Sequence, residues 1–394
     1  MRAALARALA PIKDPRAVPV LIAMLDDPAP DAAAAAANAI KGMGLHLREN
    51  DAALARRAAL ALRDALERRT TPQQNAALRE TLIGAMGPLR QGELLPLFTG
   101  MLAERRGESL EVRRLAIGAI GEIADPRSAG VLITPLDDRD QRIRLAAVQA
   151  LALNPALAEN AEALRDRLDP QREPSPEVRE AAWRALSSVF PQLSVQQLNI
   201  WAERFKDNAE RRKLVLQALR DQQLRDRDED GLATSRTQLG EVLMKLKEFP
   251  NAAEQFRLAR EYKKTQNVPA AALDQLMRAQ MEALLYARDF DAVATFASQM
   301  STESAENIPV VSGLIWREAQ RLRDAGEFQA ALDLIVAARN VKPPLSERVQ
   351  GELATIEKEI NARKTQQNGA TIPPGPRSAE VPAGDAVPGA AAPR

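Results

Sequence analysis

The chain has 394 residues, more than one compact core usually holds, so two domains or one long array are the first expectations. Hydrophobic residues make up 45% but aromatics only 3%. Ala and Leu, both good helix formers, carry the apolar content, and no long stretch alternates apolar with polar, which argues against a substantial β-sheet. Charge is balanced, with 54 basic and 53 acidic residues, so the overall excess of positive charge usual in proteins that live on nucleic acid is missing. The absence of cysteine excludes disulfides, thiolate nucleophiles and cysteine zinc sites.

In chain order, the first signal is internal repetition. Residues 14–27, DPRAVPVLIAMLDD, align without a gap with 125–138, DPRSAGVLITPLDD, at an offset of 111, or three units of 37. A second module reads EVRRLAIGAIGEIA at 111–124, RIRLAAVQALALN at 142–154 and EVREAAWRALSSVF at 177–190. Asp14 and Asp125 are expected to cap helix starts, with Pro15 and Pro126 at the first helical position, where no donor is lost. Val18, Leu21, Ile22 and Leu25 then form one apolar face. Two such amphipathic helices cannot bury both faces alone, so pairs repeated every 31–40 residues are expected to stack as an all-α solenoid. The six alanines at 32–37 read as a helix packed closely on its neighbours. Helices are also expected at 51–69 and 74–87, where the DPRA box is missing, and the one histidine, His46, at a turn between helices. No signal peptide or membrane-spanning run is visible, and cytoplasm is the default compartment, with an exported form lacking its leader as the other option.

Together these two modules resemble HEAT repeats of the phycocyanobilin-lyase-like kind, over about residues 1–227. The lyase name travels with the fold and does not by itself imply activity.

From about 232 the pattern changes. Residues 239–259 read LGEVLMKLKEFPNAAEQFRLA, and 326–343 read GEFQAALDLIVAARNVKP. Gly240, Ala252 and Ala259 are expected to let two helices approach, with Phe249 and Phe256 filling the gap. This resembles the TPR motif, with a third unit at Gly326, Phe328, Ala331, Ala338 and Pro343, and a middle one around Phe290 that has Met281 in place of the small residue. Residues 345–364 are expected to form a capping helix, and 365–394, rich in Pro, Ala and Gly, a disordered tail. The domain reading is therefore HEAT-like repeats at 1–227, an acidic linker at 228–231 and TPR-like repeats with their cap at 232–364.

The candidate sites follow from this architecture. One His and no Cys exclude the common catalytic triads and HExxH zinc sites, so no catalytic residue is expected. Asp226, Asp228 and Asp230, followed by Gly231, resemble the opening of an EF-hand calcium loop, but Thr237 stands where the closing glutamate is needed. Arg204, Lys206, Arg211, Arg212, Lys213, Arg220, Arg225 and Arg227 make a basic helix at 204–227 that suits nucleic acid as the second reading, although Glu203, Asp207, Glu210, Asp221 and Asp226 interleave it. The first reading is a protein-binding scaffold or adaptor. In TPR-like units the first helix of each pair lines the groove, which the resemblance populates with Thr237, Glu241 and Lys245, then Arg278, Glu282 and Tyr286, then Trp316, Gln320 and Arg323. Trp316 and Tyr286 are the expected anchors. A lyase-like enzyme by fold analogy comes third.

Overall fold

The computed structural model describes residues 1–71, 74–103, 107–266 and 268–369. It divides into two compact units, Met1–Asp228 and a second that begins at Glu229. Among the described residues both are helical, and the only extended pairing is an isolated bridge between Thr71 and Gln74. No described helix is long and apolar enough to cross a membrane.

The first unit contains α1 (Arg2–Leu9), α2 (Val18–Met24), α3 (Pro30–Asn50), α4 (Ala52–Arg69), α5 (Ala76–Met86), α6 (Leu95–Leu102), α7 (Leu110–Ile123), α8 (Ala129–Ile133), α9 (Gln141–Ala152), α10 (Pro176–Val189), α11 (Val195–Arg204) and α12 (Ala209–Asp226). Helices α1, α3, α5, α7, α9 and α10 pack each on the next as one layer. The intervening helices pack on this layer, α2 on α3, α6 on α7 and α8 on α9. Small residues set the spacing within the layer. A Cβ on Gly121 of α7 would lie 2.6 Å from Ala150 Cα of α9. The alanine run lies in α3, with Ala32, Ala33, Ala35, Ala36 and Ala37 buried.

The repeated box folds the same way twice. Asp14 accepts the Arg16 backbone N–H at 2.9 Å, and Asp125 accepts that of Arg127 at 2.9 Å. Each caps a short 3₁₀ turn, Pro15–Ala17 or Pro126–Ser128, which runs into α2 or α8. The ion pairs repeat as well. Arg2 reaches Asp27 and Arg113 reaches Asp138, the same pair 111 residues on.

The second unit contains α13 (Glu229–Lys245), α14 (Phe249–Thr265), α15 (Ala270–Ala287), α16 (Phe290–Glu303), α17 (Asn307–Asp324), α18 (Phe328–Arg339) and α19 (Glu347–Gly369). Successive helices pack on one another, and α15 also touches α17, α16 touches α18 and α17 touches α19. Gly240 is obligatory at its crossing, since a Cβ there would meet the buried Phe256 ring at 2.6 Å.

Three expectations need correction. His46 lies inside α3, not in a turn, because helix-favouring residues carry α3 through Gly42 and Gly44 to Asn50. The acidic linker at 228–231 is not a separate segment, since α13 starts at Glu229. The tail expected from 365 overlaps α19, which extends to Gly369, and residues 370–394 lie outside the described residues.

Candidate partner-binding cleft

Helices α15 and α17, the first members of successive pairs, enclose a cleft of about 150 Å³ lined by Glu282, Leu285, Tyr286, Leu314, Arg317, Glu318 and Arg321. Its floor is apolar because Leu285 and Leu314 belong to the core of α15–α19. Tyr286 is 40% exposed, a large ring left in contact with water. The ring is held by neighbours, with Phe249 at 5.4 Å between centroids and the Arg321 guanidinium 5.8 Å from its centre. Arg321 is itself fixed by a fork to Glu318, at 2.8 Å through Nε and 2.6 Å through Nη2. The bonds it donates to Glu318 hold Arg321 above the ordinary arginine value, so it remains cationic throughout the working range. Arg317, one turn before Arg321, is exposed and makes no hydrogen bond or ion pair among the described residues. The cleft thus offers a braced aromatic face, a fixed guanidinium and a free one.

Of the residues singled out from the sequence, Glu282 and Tyr286 line this cleft, and Arg278 is exposed one turn earlier on α15. Trp316 does not line it. It is half-buried and packs on the core of α15–α19, with its Nε1 enclosed and without a hydrogen-bond partner among the described residues. Arg323 is likewise taken, pairing with Asp324 at 2.8 Å and with Glu359 of α19 at 2.9 Å. Gln320 is half-buried on α17, while Glu241 and Lys245 are exposed on α13, and none of the three lines the cleft. Arg317, Glu318 and Arg321 are the residues the sequence reading missed. Their signal was the i, i+3 pair of Glu318 with Arg321 beside an arginine one turn back.

The acidic residues singled out for calcium sit at the junction of α12 and α13. Asp226 ends α12 and accepts the Gln222 amide at 3.2 Å, while Asp230 and Gly231 already lie in α13, where Asp230 accepts the Tyr262 hydroxyl at 3.0 Å. An EF-hand loop needs an open turn at its glycine, and helix occupies that place. Among the described residues no three His, Asp or Glu side chains are grouped to hold a metal.

The basic segment 204–227 is not one helix. Arg204 ends α11, and α12 starts at Ala209. Several of its cations are held by neighbours. Arg204 pairs with Glu162 at 2.8 Å, Lys206 with Glu203 at 3.4 Å and Arg220 with Asp221 at 2.7 Å. Arg225 donates to the Pro191 carbonyl at 3.1 Å.

Comparison with known proteins adds to this geometry. Residues 59–152 and 98–173 match the family of HEAT repeats, and residues 1–27 match the PBS lyase HEAT-like repeat. No curated protein matches the chain. The matched residues lie within the stacked helices α1–α10, whose capped boxes recur at 14–27 and 125–138. The first unit therefore carries HEAT repeats.

Proposed function

We propose that this helical-repeat scaffold is a non-catalytic adaptor, and that it takes a peptide segment of a protein partner in the cleft between α15 and α17. The observation that carries the reading is Tyr286, exposed yet braced by Phe249 and Arg321 beside an unpaired Arg317. Aromatic and arginine side chains held in place before binding lose little entropy and tend to anchor interfaces. At about 150 Å³ the cleft suits one side chain better than a metabolite, whose pockets usually span about 300–1,000 Å³. The occupant is a peptide with an apolar side chain against Tyr286 and an acidic group for Arg317. The second unit is read as TPR-like on the same ground, since Gly240 and Phe256 meet as that motif requires.

The test is selection of displayed random peptides on the full chain, with Tyr286→Ala as counter-target. Enrichment of acidic–apolar peptides that the variant fails to retain supports the cleft. Peptides retained equally by both proteins remove it.

A further inference from the structure

The first unit holds a second feature, independent of the cleft. At its C-terminal end Trp183, Phe190, Trp201 and Phe205 form an aromatic cluster. Trp183 meets Phe190 and Phe205 edge-on at 5.7 and 5.3 Å, and Trp201 stacks on Phe205 at 5.7 Å. Two arginines lie on its outer faces, at the same distance from their rings. The Arg204 guanidinium is 4.8 Å from the centre of Trp201, and that of Arg211 is 4.8 Å from Trp183 and 5.8 Å from Phe205.

The two differ in what they carry. Arg204 delivers its Nη1 to both oxygens of Glu162, at 2.9 and 2.8 Å. The Arg211 guanidinium makes no hydrogen bond or ion pair among the described residues. Its backbone N–H bonds the cap Asn208 at 3.0 Å. Burial pushes Arg211 below the ordinary arginine value, with Glu180 opposing that shift and Arg179 reinforcing it. The guanidinium is held over an indole with its donors unspent among the described residues, so they are open to a ligand.

We propose that Arg211, held on Trp183, is a docking point for a carboxylate side chain of an acidic protein partner. Held over a ring, a guanidinium can still present its N–H edge, and that edge matches a carboxylate with two parallel bonds. Glu162 on Arg204 shows an arginine over a tryptophan of this cluster holding a carboxylate within the chain, there through Nη1 alone. A nucleic-acid backbone fits less well, because phosphates need several cations in a row, and Arg204, Lys206, Arg220 and Arg225 are engaged by the protein itself. Stacking of a base on the Trp183 face that Arg211 covers would require Arg211 to leave it.

The test uses the full chain at low salt and two fluorescein-labelled probes, octaglutamate and an oligothymidylate of equal length, read by anisotropy. Arg211→Lys keeps the charge and loses the planar fork, so it separates a specific site from general attraction. Octaglutamate is expected to bind the unaltered protein, to lose about fivefold or more with Arg211→Lys, and to be unaffected by Arg204→Lys. Melting curves establish that each variant is folded, and Arg211→Ala serves as a second variant. Three results would overturn the proposal: no octaglutamate binding, equal binding by unaltered protein and Arg211→Lys, or tighter Arg211-dependent binding of oligothymidylate.

Discussion

Arg144 grips Glu173 with two parallel bonds, Nε to Oε2 at 2.7 Å and Nη2 to Oε1 at 2.8 Å, tying α9 to the turn that precedes α10. Glu173 has no exposed surface, and its remaining capacity goes to the Ser175 N–H at 3.0 Å and to Arg167 at 3.3 Å. Arg79 and Glu108 make the same fork, also 29 residues apart, between α5 and the turn before α7. In both cases the arginine is the fourth residue of its helix and the glutamate lies just ahead of a later helix of the same layer. The fork therefore fixes one repeat on the next. Removing one partner leaves a buried charge alone, so Glu173→Ala is expected to cost about 3–5 kcal/mol. The apolar double replacement Arg144→Met with Glu173→Leu is expected to recover most of that loss. Urea unfolding followed by circular dichroism measures both, and equal losses in the single and double variants would refute this account of the pair.

Two glycines of α7 give opposite expectations from one helix. Gly118 has nothing within 4 Å of a new Cβ, so Gly118→Ala is expected to stabilise by about 0.5–1 kcal/mol through helix propensity. At Gly121 the same methyl would lie 2.6 Å from Ala150 Cα, and Gly121→Ala is expected to cost about 1–3 kcal/mol through overpacking. Melting temperatures that move the same way would contradict the close approach of α7 and α9.

Asp140 supplies a dependence on pH. Hydrogen bonds from the Arg142 side chain and then its backbone N–H hold the carboxyl at about 2, below its ordinary 3.8. A carboxylate depressed in the folded state stabilises fully above its unfolded value and loses that contribution as pH falls through the folded one. Asp140→Asn keeps an acceptor but drops the charge. The stability gap between the unaltered protein and this variant is expected to be constant at neutral pH and to close between about pH 4 and pH 2. A gap unchanged across that window would contradict the assignment.

The repeat architecture was legible because its determinants are local. Asp14 and Asp125 each bond a backbone N–H two residues away, and Gly240 announced the approach of Phe256. The forks were not legible, since nothing in the sequence pairs Arg144 with Glu173 over 29 residues. The cleft was legible on α15 but missed on α17 by one register step. One residue turns a helix by about 100°. The buried side of α17 takes in Val311, Ser312, Leu314, Ile315, Glu318, Ala319 and Leu322, a stripe wide enough to draw Trp316 onto its edge. Arg317 and Arg321 then face the cleft that Trp316 and Gln320 were expected to line. Glu318 misleads further, being a charged residue that is only 6% exposed because Arg321 holds it.

The central claim, that the α15–α17 cleft receives a partner peptide, is tested most directly by the affinity of one selected peptide for three proteins: unaltered, Tyr286→Ala and Trp316→Phe. The expected result is a loss of about tenfold or more with Tyr286→Ala, an unchanged melting temperature for that variant, and unchanged affinity for Trp316→Phe. Affinity that ignores Tyr286 and falls with Trp316→Phe in a folded protein would contradict the claim.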